Sequence, residues 1–218
     1  MFLRRQHLQS RNMQRVVIGA GALGLFLYHC LEQEYSQKTL KIISNSWFQK
    51  PIMIESLDKH VDQLNPSSYF LAENLEKTFP LLSEKTIIFY ICLPPEASLT
   101  ALNYIEIILN KNPQIKTNVI LFMNNGILDY QYLTQFIKKD SLHRCRETYC
   151  MRALVVSGFM RTFLDNKILI QNTSGKEIYY GFFKNKPPFS INFILPKNYL
   201  TWHYSKKYLC YGNREVFC

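Results

Sequence analysis

Glycine is scarce in this sequence, with eight residues in a chain of 218. Three of the eight, Gly19, Gly21 and Gly24, nevertheless fall within six consecutive positions of the segment RVVIGAGALGLFLYHCL. Glycine is the usual residue where the backbone turns sharply or where another group approaches it closely. The spacing therefore indicates either a loop that receives a phosphate group or a turn with a purely structural purpose.

The sequence also lacks an apolar run of the 18 or so residues that a membrane-spanning helix requires. The apolar stretch from Val16 to Leu31 is interrupted by the three glycines, and no apolar run directly follows the basic residues of positions 1–14, as it would in a secretory signal. We therefore expect a cytoplasmic protein with no membrane partner. Residues 1–14 are predicted to form a disordered basic arm, with Met13 as an alternative start to Met1.

Long blocks of like charge are absent, although the net charge is +10. The 26 Lys and Arg residues are scattered singly or in pairs, and none forms the run of five or six that is typical of a nucleic-acid-binding tail. A solvated basic surface with a general affinity for anions accounts for this charge. We predict no nucleic-acid partner.

The six cysteines lack the close, regular spacing of a disulfide framework or a zinc site. The nearest approach to a metal cluster, His143, Cys145 and Cys150, has no convincing fourth ligand and no Cys-x-x-Cys unit. We predict reduced, mostly buried thiols and no bound metal.

What the sequence does contain is an alternation of apolar strands with amphipathic helices. The strand RVVIG precedes the predicted helix ALGLFLYHCLEQEY, and the strand KTLKIISNS follows it. Two further apolar runs, KTIIFYICLPP and TNVILFMNNG, flank a predicted helix over residues 96–111. Continuously apolar strands are typical of a parallel sheet that is covered on both faces. The prediction is an α/β fold of the Rossmann type, with a mostly parallel sheet and helices on both faces.

After about residue 145 the pattern becomes that of β-hairpins. The turn segments LDNK and NTSGK separate apolar runs, SINFILP is a further candidate strand, and YLTWHYSKKYLCYGNREVFC has the character of the start of a helix. The predicted organisation is therefore a Rossmann-like dinucleotide-binding domain over 15–196, which includes the hairpin region. It is followed by the truncated start of a helical substrate domain over 197–218.

The context of the glycine stretch favours dinucleotide binding over a purely structural turn, because a strand precedes it and an amphipathic helix follows it. The first glycine would permit the tight turn, the second would let the backbone approach a diphosphate, and the third would let the helix pack on the strand. The N–H groups and the positive end of the helix dipole would face the anion. The residues predicted to hold the cofactor here are Gly19, Ala20, Gly21, Ala22, Leu23 and Gly24.

The end of the second predicted strand reads Ser44-Asn45-Ser46, with Lys50 four residues beyond. A site for NAD usually places a carboxylate here, which accepts a hydrogen bond from the ribose 2'-hydroxyl and would repel the 2'-phosphate of NADP. Hydroxyl, amide and ammonium donors favour NADP over NAD. Ser44 and Asn45 are predicted contacts of the cofactor.

Four segments together resemble successive landmarks of the ketopantoate reductases (2-dehydropantoate 2-reductases): VVIGAGALGLFL, IIFYICLPPEASLTAL, NVILFMNNGI and NKILIQNTSGKEIYYG. The resemblance spans residues 15 to about 210. It implies NADPH-dependent reduction of a small 2-keto acid, 2-dehydropantoate, on the route to pantothenate. It also implies that Asn125 lies beside the nicotinamide. The segment SKKYLCYGN resembles that of the family's catalytic lysine, which implies that Lys207, or alternatively Lys206, donates the proton.

The sequence departs from that family at two basic positions. The family's cation after the second strand falls on Asn45 or nearby, and its lysine before the NG strand falls on Leu93 or Pro94. Leu93 remains a predicted cofactor contact, without charge. Family members continue into a helical domain, which a homodimer or a partner chain is expected to supply here. The alternative is a non-catalytic or degenerate module that keeps a Rossmann fold and a nucleotide site.

Overall fold

The computed structural model of the chain describes residues 13–46, 48–64, 68–123, 130–144, 146–183 and 186–205. The strands are β1 (Met13–Ile18), β2 (Leu40–Ser44), β3 (Ile52–Glu55), β4 (Val61–Leu64), β5 (Tyr69–Leu71), β6 (Thr86–Ile91), β7 (Thr117–Phe122), β8 (Glu147–Val155), β9 (Gly158–Phe163), β10 (Ile168–Ser174), β11 (Glu177–Phe182) and β12 (Thr201–Tyr204). The α-helices are α1 (Ala22–Glu34), α2 (Leu75–Thr78), α3 (Ser98–Lys111) and α4 (Tyr130–Arg144).

The main sheet has eight strands in the order β12-β11-β8-β7-β6-β1-β2-β5. The six strands from β8 to β5 run parallel, β11 is antiparallel to β8, and β12 is parallel to β11. Central strands are apolar on both sides: in β6, Phe89 faces one core and Tyr90 the other. The predicted α/β fold with a mostly parallel sheet is confirmed.

The two faces of the main sheet are covered by different structures. On one face, α2, α3 and α4 bury apolar residues such as Leu75, Ile105 and Phe136 against the strands. On the other face, α1 shares the surface with a second sheet of four strands in the order β4-β3-β10-β9. Helices are therefore present on both faces as predicted, whereas the second sheet is a feature that the sequence analysis did not predict.

Two of the places where the chain passes between the two sheets are neighbours in space. Residues 156–157 lead from β8 to β9, and residues 175–176 lead back from β10 to β11. The N–H of Val156 donates to the carbonyl of Glu177 over 3.2 Å, which ties the two connections together. The NTSGK segment thus joins strands of different sheets, and its predicted hairpin is wrong. The LDNK turn does join the antiparallel pair β9 and β10.

The C-terminal part of the described structure is a strand rather than a helix. Residues 201–204 form β12, so the predicted helical start over 197–218 is wrong for these residues, and 206–218 lie outside the described residues. β12 pairs with β11, and the His203 ring stacks on Tyr179 with centroids 5.0 Å apart. Cross-strand aromatic contacts of this kind favour the extended conformation.

Two other local predictions also need correction. Met13 and Gln14, assigned to the disordered arm over 1–14, are the first residues of β1, and residues 1–12 lie outside the described ranges. The SINFILP segment contains a 3-10 helix, Ile191–Phe193, rather than a strand.

His29 connects α1 to the second sheet. Its Nε2 lies 3.2 Å from a carboxylate oxygen of Asp62 in β4, and its ring lies beside Tyr199, with centroids 5.7 Å apart. Burial lowers the pKa of His29, and the Asp62 carboxylate opposes that effect in part. A neutral imidazole in this contact joins the helix to the sheet without burying an additional charge.

Within the described ranges, no helix is long and apolar enough to cross a membrane. The same residues contain no group of three or more His, Cys, Asp or Glu side chains that could hold a metal ion. Cys30 and Cys150 are buried free thiols, and Cys92 is a partly exposed one. Cys145, Cys210 and Cys218 are not among the described side chains.

Asn112 fixes the C-terminal end of α3. The residue is fully buried; its Oδ1 accepts a hydrogen bond of 2.7 Å from the N–H of Leu82, and its Nδ2 donates to the carbonyl of Ile108 over 2.9 Å. The buried guanidinium of Arg146 donates to the carbonyls of Leu109 and Asn112. These donors satisfy carbonyl groups that a helix end leaves without intrahelical partners.

We expect Asn112→Ala to lower the free energy of unfolding by about 2 to 3 kcal/mol, because it leaves the N–H of Leu82 buried without this acceptor. Urea unfolding measures the change. Asn110→Ala is the matched control, since Asn110 is exposed in the same helix; it should change stability by less than about 0.5 kcal/mol. Equal losses in the two variants would contradict the assignment.

Candidate functional site

A glycine turn joins β1 to α1 at the carboxyl edge of the parallel strands. Gly19 has a φ of +103°, a conformation that residues with a side chain rarely adopt. Its N–H donates to the carbonyl of Ile43, at the end of β2, over 2.9 Å. A Cβ built on Gly19 would lie 2.7 Å from the side chain of Leu93 and 2.8 Å from the carbonyl oxygen of Cys92. Both the backbone conformation and the neighbours therefore require glycine here.

The space around Gly24 differs sharply from the space around Gly21. A Cβ on Gly24 would lie 1.9 Å from the carbonyl oxygen of Gly19, so α1 approaches the turn in direct backbone contact. Apart from its chain neighbours, a Cβ on Gly21 would meet no atom of the residues that the structure describes within 4 Å. Packing thus explains the glycines at positions 19 and 24, whereas Gly21 faces open space.

The N-terminal end of α1 has no side-chain cap among the described residues. Gly21 is the N-cap, and the first intrahelical hydrogen bond runs from the N–H of Leu25 to the carbonyl of Gly21 over 3.0 Å. Ala22 and Leu23 are only half-buried. The N–H groups of the first turn, at the positive end of the helix dipole, are therefore available to an anion such as a phosphate group.

The strands on either side of β1 bring the other predicted residues to this turn. The register of β1 with β2 places Ile18 opposite Ile43, so Ser44 and the exposed Asn45 follow directly beside Gly19. On the other side, Leu93 follows β6 and packs against Gly19. These predicted cofactor contacts thus lie together around the glycine turn, but their binding of a cofactor stays a prediction.

The neutral and basic groups that follow β2 already have partners within the protein. The Asn45 side-chain oxygen accepts a hydrogen bond of 3.5 Å from the hydroxyl of Tyr104 in α3. Lys50 donates to the carbonyl of Leu164, at the end of β9, over 3.0 Å. The ammonium group of Lys50 is thus directed to the β9–β10 hairpin.

The two predicted catalytic residues, Asn125 and Lys207, lie outside the described residues. The preceding strand β7 ends at the same edge as the glycine turn, where the N–H of Met123 donates to the carbonyl of Ile91 over 2.9 Å. The roles of Asn125 and Lys207 stay predictions.

Arg161, in β9, is a residue of this site that the sequence analysis missed. Its Nη1 donates to the carbonyl of Ala20 over 3.1 Å, and its guanidinium carbon lies 5.0 Å from the centroid of the Phe163 ring. Alternation along the strand puts Phe159 on the same face. The Phe159 ring packs on Phe26 of α1, with centroids 5.0 Å apart. This contact positions β9 along the helix, and Arg161 therefore lies at the glycine turn. In the sequence, the signal for it is a single cation between two phenylalanines at alternate positions.

Tyr69 closes the side of the site beyond β2. Its hydroxyl donates to the carbonyl of Ser46. Burial raises the pKa of Tyr69, while a hydrogen bond with Ser44 and the positive charge of Arg161 oppose the rise. The hydroxyl is therefore neutral at physiological pH, and the Arg161 charge acts at the end of β2 as well as at the glycine turn.

Comparison with solved structures identifies the fold around this site. A 2-dehydropantoate 2-reductase from Methylococcus capsulatus matches with a TM-score of 0.54 and 15% sequence identity, over 78% of this chain and 48% of that chain. This chain has the fold of the matched half of a 2-dehydropantoate 2-reductase. A dimeric ketopantoate reductase from Staphylococcus aureus matches with a TM-score of 0.44 and 11% identity, over 77% of this chain and 46% of that chain.

The resemblance to the 2-dehydropantoate 2-reductases found in the sequence is thus confirmed at the level of the fold. No protein-family model matches the chain, and no curated protein matches its sequence. The chain spans about half the length of the two 2-dehydropantoate 2-reductase structures.

The different surroundings of Gly24 and Gly21 predict a large loss of stability for alanine at position 24 and a small change for alanine at position 21. Gly24→Ala should lower the free energy of unfolding by about 3 kcal/mol or more, because its Cβ cannot fit against the Gly19 carbonyl. Gly21→Ala should stay within about 1 kcal/mol of the parent, because its Cβ points into open space. Urea unfolding of the two variants measures the difference, and a Gly21→Ala loss as large as that of Gly24→Ala would show that the space is not open.

Proposed function

We propose that this chain is the dinucleotide-binding part of an oxidoreductase that uses a nicotinamide cofactor, NADP in preference to NAD. The observation that carries the proposal is the open space at Gly21 in front of the uncapped end of α1. Packing gives no reason for glycine there, whereas a diphosphate that approaches the backbone does. The fold shared with a 2-dehydropantoate 2-reductase supports the same reading.

The residues present around the turn fit such a cofactor. The N–H groups of Ala22, Leu23 and Gly24 would donate to the diphosphate, and Ser44 and Asn45 would contact the adenosine ribose. The bound cofactor would supply a hydride, and the chain would supply its binding and orientation.

We infer a small 2-keto acid, such as 2-dehydropantoate, as the substrate. The sequence resemblance and the name of the matched structure support that inference. Asn125 would orient the nicotinamide ring or the substrate, and Lys207 would donate a proton from its Nζ to the oxygen of the reduced keto group. A second copy of this chain, or a partner chain, would contribute to the substrate cleft.

A non-catalytic nucleotide-binding module is the second candidate function. The lysine of the resembled family falls on Leu93 or Pro94, neither of which carries a charge, and the Leu93 side chain packs against Gly19. The loss of a cation at this position weakens the case for turnover more than the case for nucleotide binding, since the glycine turn does not depend on it.

Nucleotide binding is tested by titration with NADPH, followed by the fluorescence of the nicotinamide. The parent chain should bind, and Gly21→Ala should bind at least about tenfold more weakly, because the added methyl group occupies the approach of the diphosphate. Asn110→Ala, on the other face of the sheet, should bind like the parent. No response of the parent up to about millimolar NADPH would overturn both candidate functions.

Turnover separates the two candidates. If the chain is an enzyme, 2-dehydropantoate should cause oxidation of NADPH, and Lys207→Ala should slow it by about a hundredfold or more because the proton donor is lost. Lys206→Ala tests the alternative donor: the rate should stay nearly unchanged if Lys207 donates the proton, whereas the loss should appear in Lys206→Ala instead if Lys206 donates it. NADPH binding without any turnover by the parent would favour the module instead.

A further inference from the structure

We propose that Arg161 selects NADP over NAD by binding the 2'-phosphate of the adenosine ribose. The proposal deepens the proposed function and rests on it, since it assumes a dinucleotide at the glycine turn. The residue comes from the second sheet, 141 positions after the turn that it contacts.

Arg161 lies at the glycine turn, close to the end of β2. Its guanidinium is held at the carbonyl of Ala20, between Gly19 and Gly21. Because β1 pairs with β2, that carbonyl lies next to the strand end that carries Ser44. In folds of this type the adenosine ribose lies at the end of the second strand and the diphosphate at the helix N-terminus. Arg161 therefore lies at the border between the two subsites.

The positive charge of Arg161 also supports the proposal. In the part of the chain that the structure describes, the ion pairs found do not include Arg161. Its identified contacts, the Ala20 carbonyl and the Phe163 ring, are both neutral. A guanidinium has five N–H donors in a planar fork, of which the Ala20 carbonyl uses one. The remaining donors suit a phosphate dianion, and the fork matches its oxygens in pairs.

The local surroundings support this assignment. The end of β2, Ser44-Asn45-Ser46, carries no carboxylate that would repel a phosphate. The effect of Arg161 on the pKa of Tyr69 indicates that its charge reaches this strand end. The Phe163 ring flanks the guanidinium and favours its present orientation through a cation–π contact.

Lys50 is the competing cation, and the structure argues against it. Its ammonium donates to the carbonyl of Leu164, and its exposed stem has many rotamers to lose on binding. A second alternative is that Arg161 binds the diphosphate, which NAD and NADP share. These two alternatives predict different results with matched nucleotides.

The experiment compares the affinities of NADPH, NADH, 2',5'-ADP and 5'-ADP for the full chain and its variants, by fluorescence titration and by competition. Arg161→Gln should weaken NADPH and 2',5'-ADP by about tenfold to a hundredfold, while NADH and 5'-ADP change by less than about twofold. Arg161→Lys should restore part of the loss, because it keeps the charge without the planar fork. Urea unfolding should show that both variants remain folded.

Lys85→Gln is the matched control for loss of one exposed positive charge. Lys85 directly precedes β6, at the amino edge of the parallel strands and so opposite the glycine turn. This variant should leave all four affinities unchanged. A similar loss in Lys85→Gln would mean that Arg161 acts only through net charge, and would overturn the proposal.

Four further results would overturn it. Equal weakening of NADPH and NADH by Arg161→Gln would assign the residue to the diphosphate. Loss of the NADPH preference in Lys50→Gln but not in Arg161→Gln would assign the phosphate to Lys50. Equal affinities of the parent chain for NADH and NADPH would mean that Arg161 does not select NADP. The proposed nucleotide site itself would not be contradicted by that result. A parent that binds none of the four nucleotides would remove the site itself.

Discussion

The contact between Gly24 and the carbonyl of Gly19 fixes the position of α1, and much of the molecule follows from that position. The helix buries Leu25 and Leu31 on one face of the main sheet, and its Phe26 supports β9. A helix that starts so close to the turn leaves its first N–H groups beside the open space at Gly21. The open space at Gly21 therefore results from the tight packing of α1 against the glycine turn. The same packing determines where the second sheet can lie against α1.

The electrostatics of this edge are assembled from distant parts of the chain. The loops that follow β2 and β6 carry the neutral side chains of Asn45 and Leu93, both of which are already in contact with neighbours. The cation at the turn is supplied by β9 instead. An anion site requires a positive charge at a particular position. A residue on a strand of another layer can supply that charge, just as a residue in the adjacent loop can.

The four central strands of the main sheet, β1, β2, β6 and β7, could be predicted from the sequence because they are largely apolar and the helices between them have clear periodicity. The second sheet could not, because β3 is only four residues long and pairs in parallel with β10, far along the chain. Arg161 was missed because its contact with Ala20 depends on the packing of β9 along α1, which has no local signal in the sequence. Residues 201–204 were predicted to be helical, but they form a strand. Their strand conformation depends on pairing with β11 and on stacking of the His203 ring on Tyr179, and the local sequence indicates neither contact.

The 141 positions between Ala20 and Arg161 also have a consequence for biosynthesis. At roughly 5 to 20 residues per second, the ribosome releases the glycine loop several seconds before it has made the arginine. The first strand–helix–strand unit is thus available for folding before Arg161 can contact the glycine turn. That contact can form only after most of the polypeptide has been synthesised.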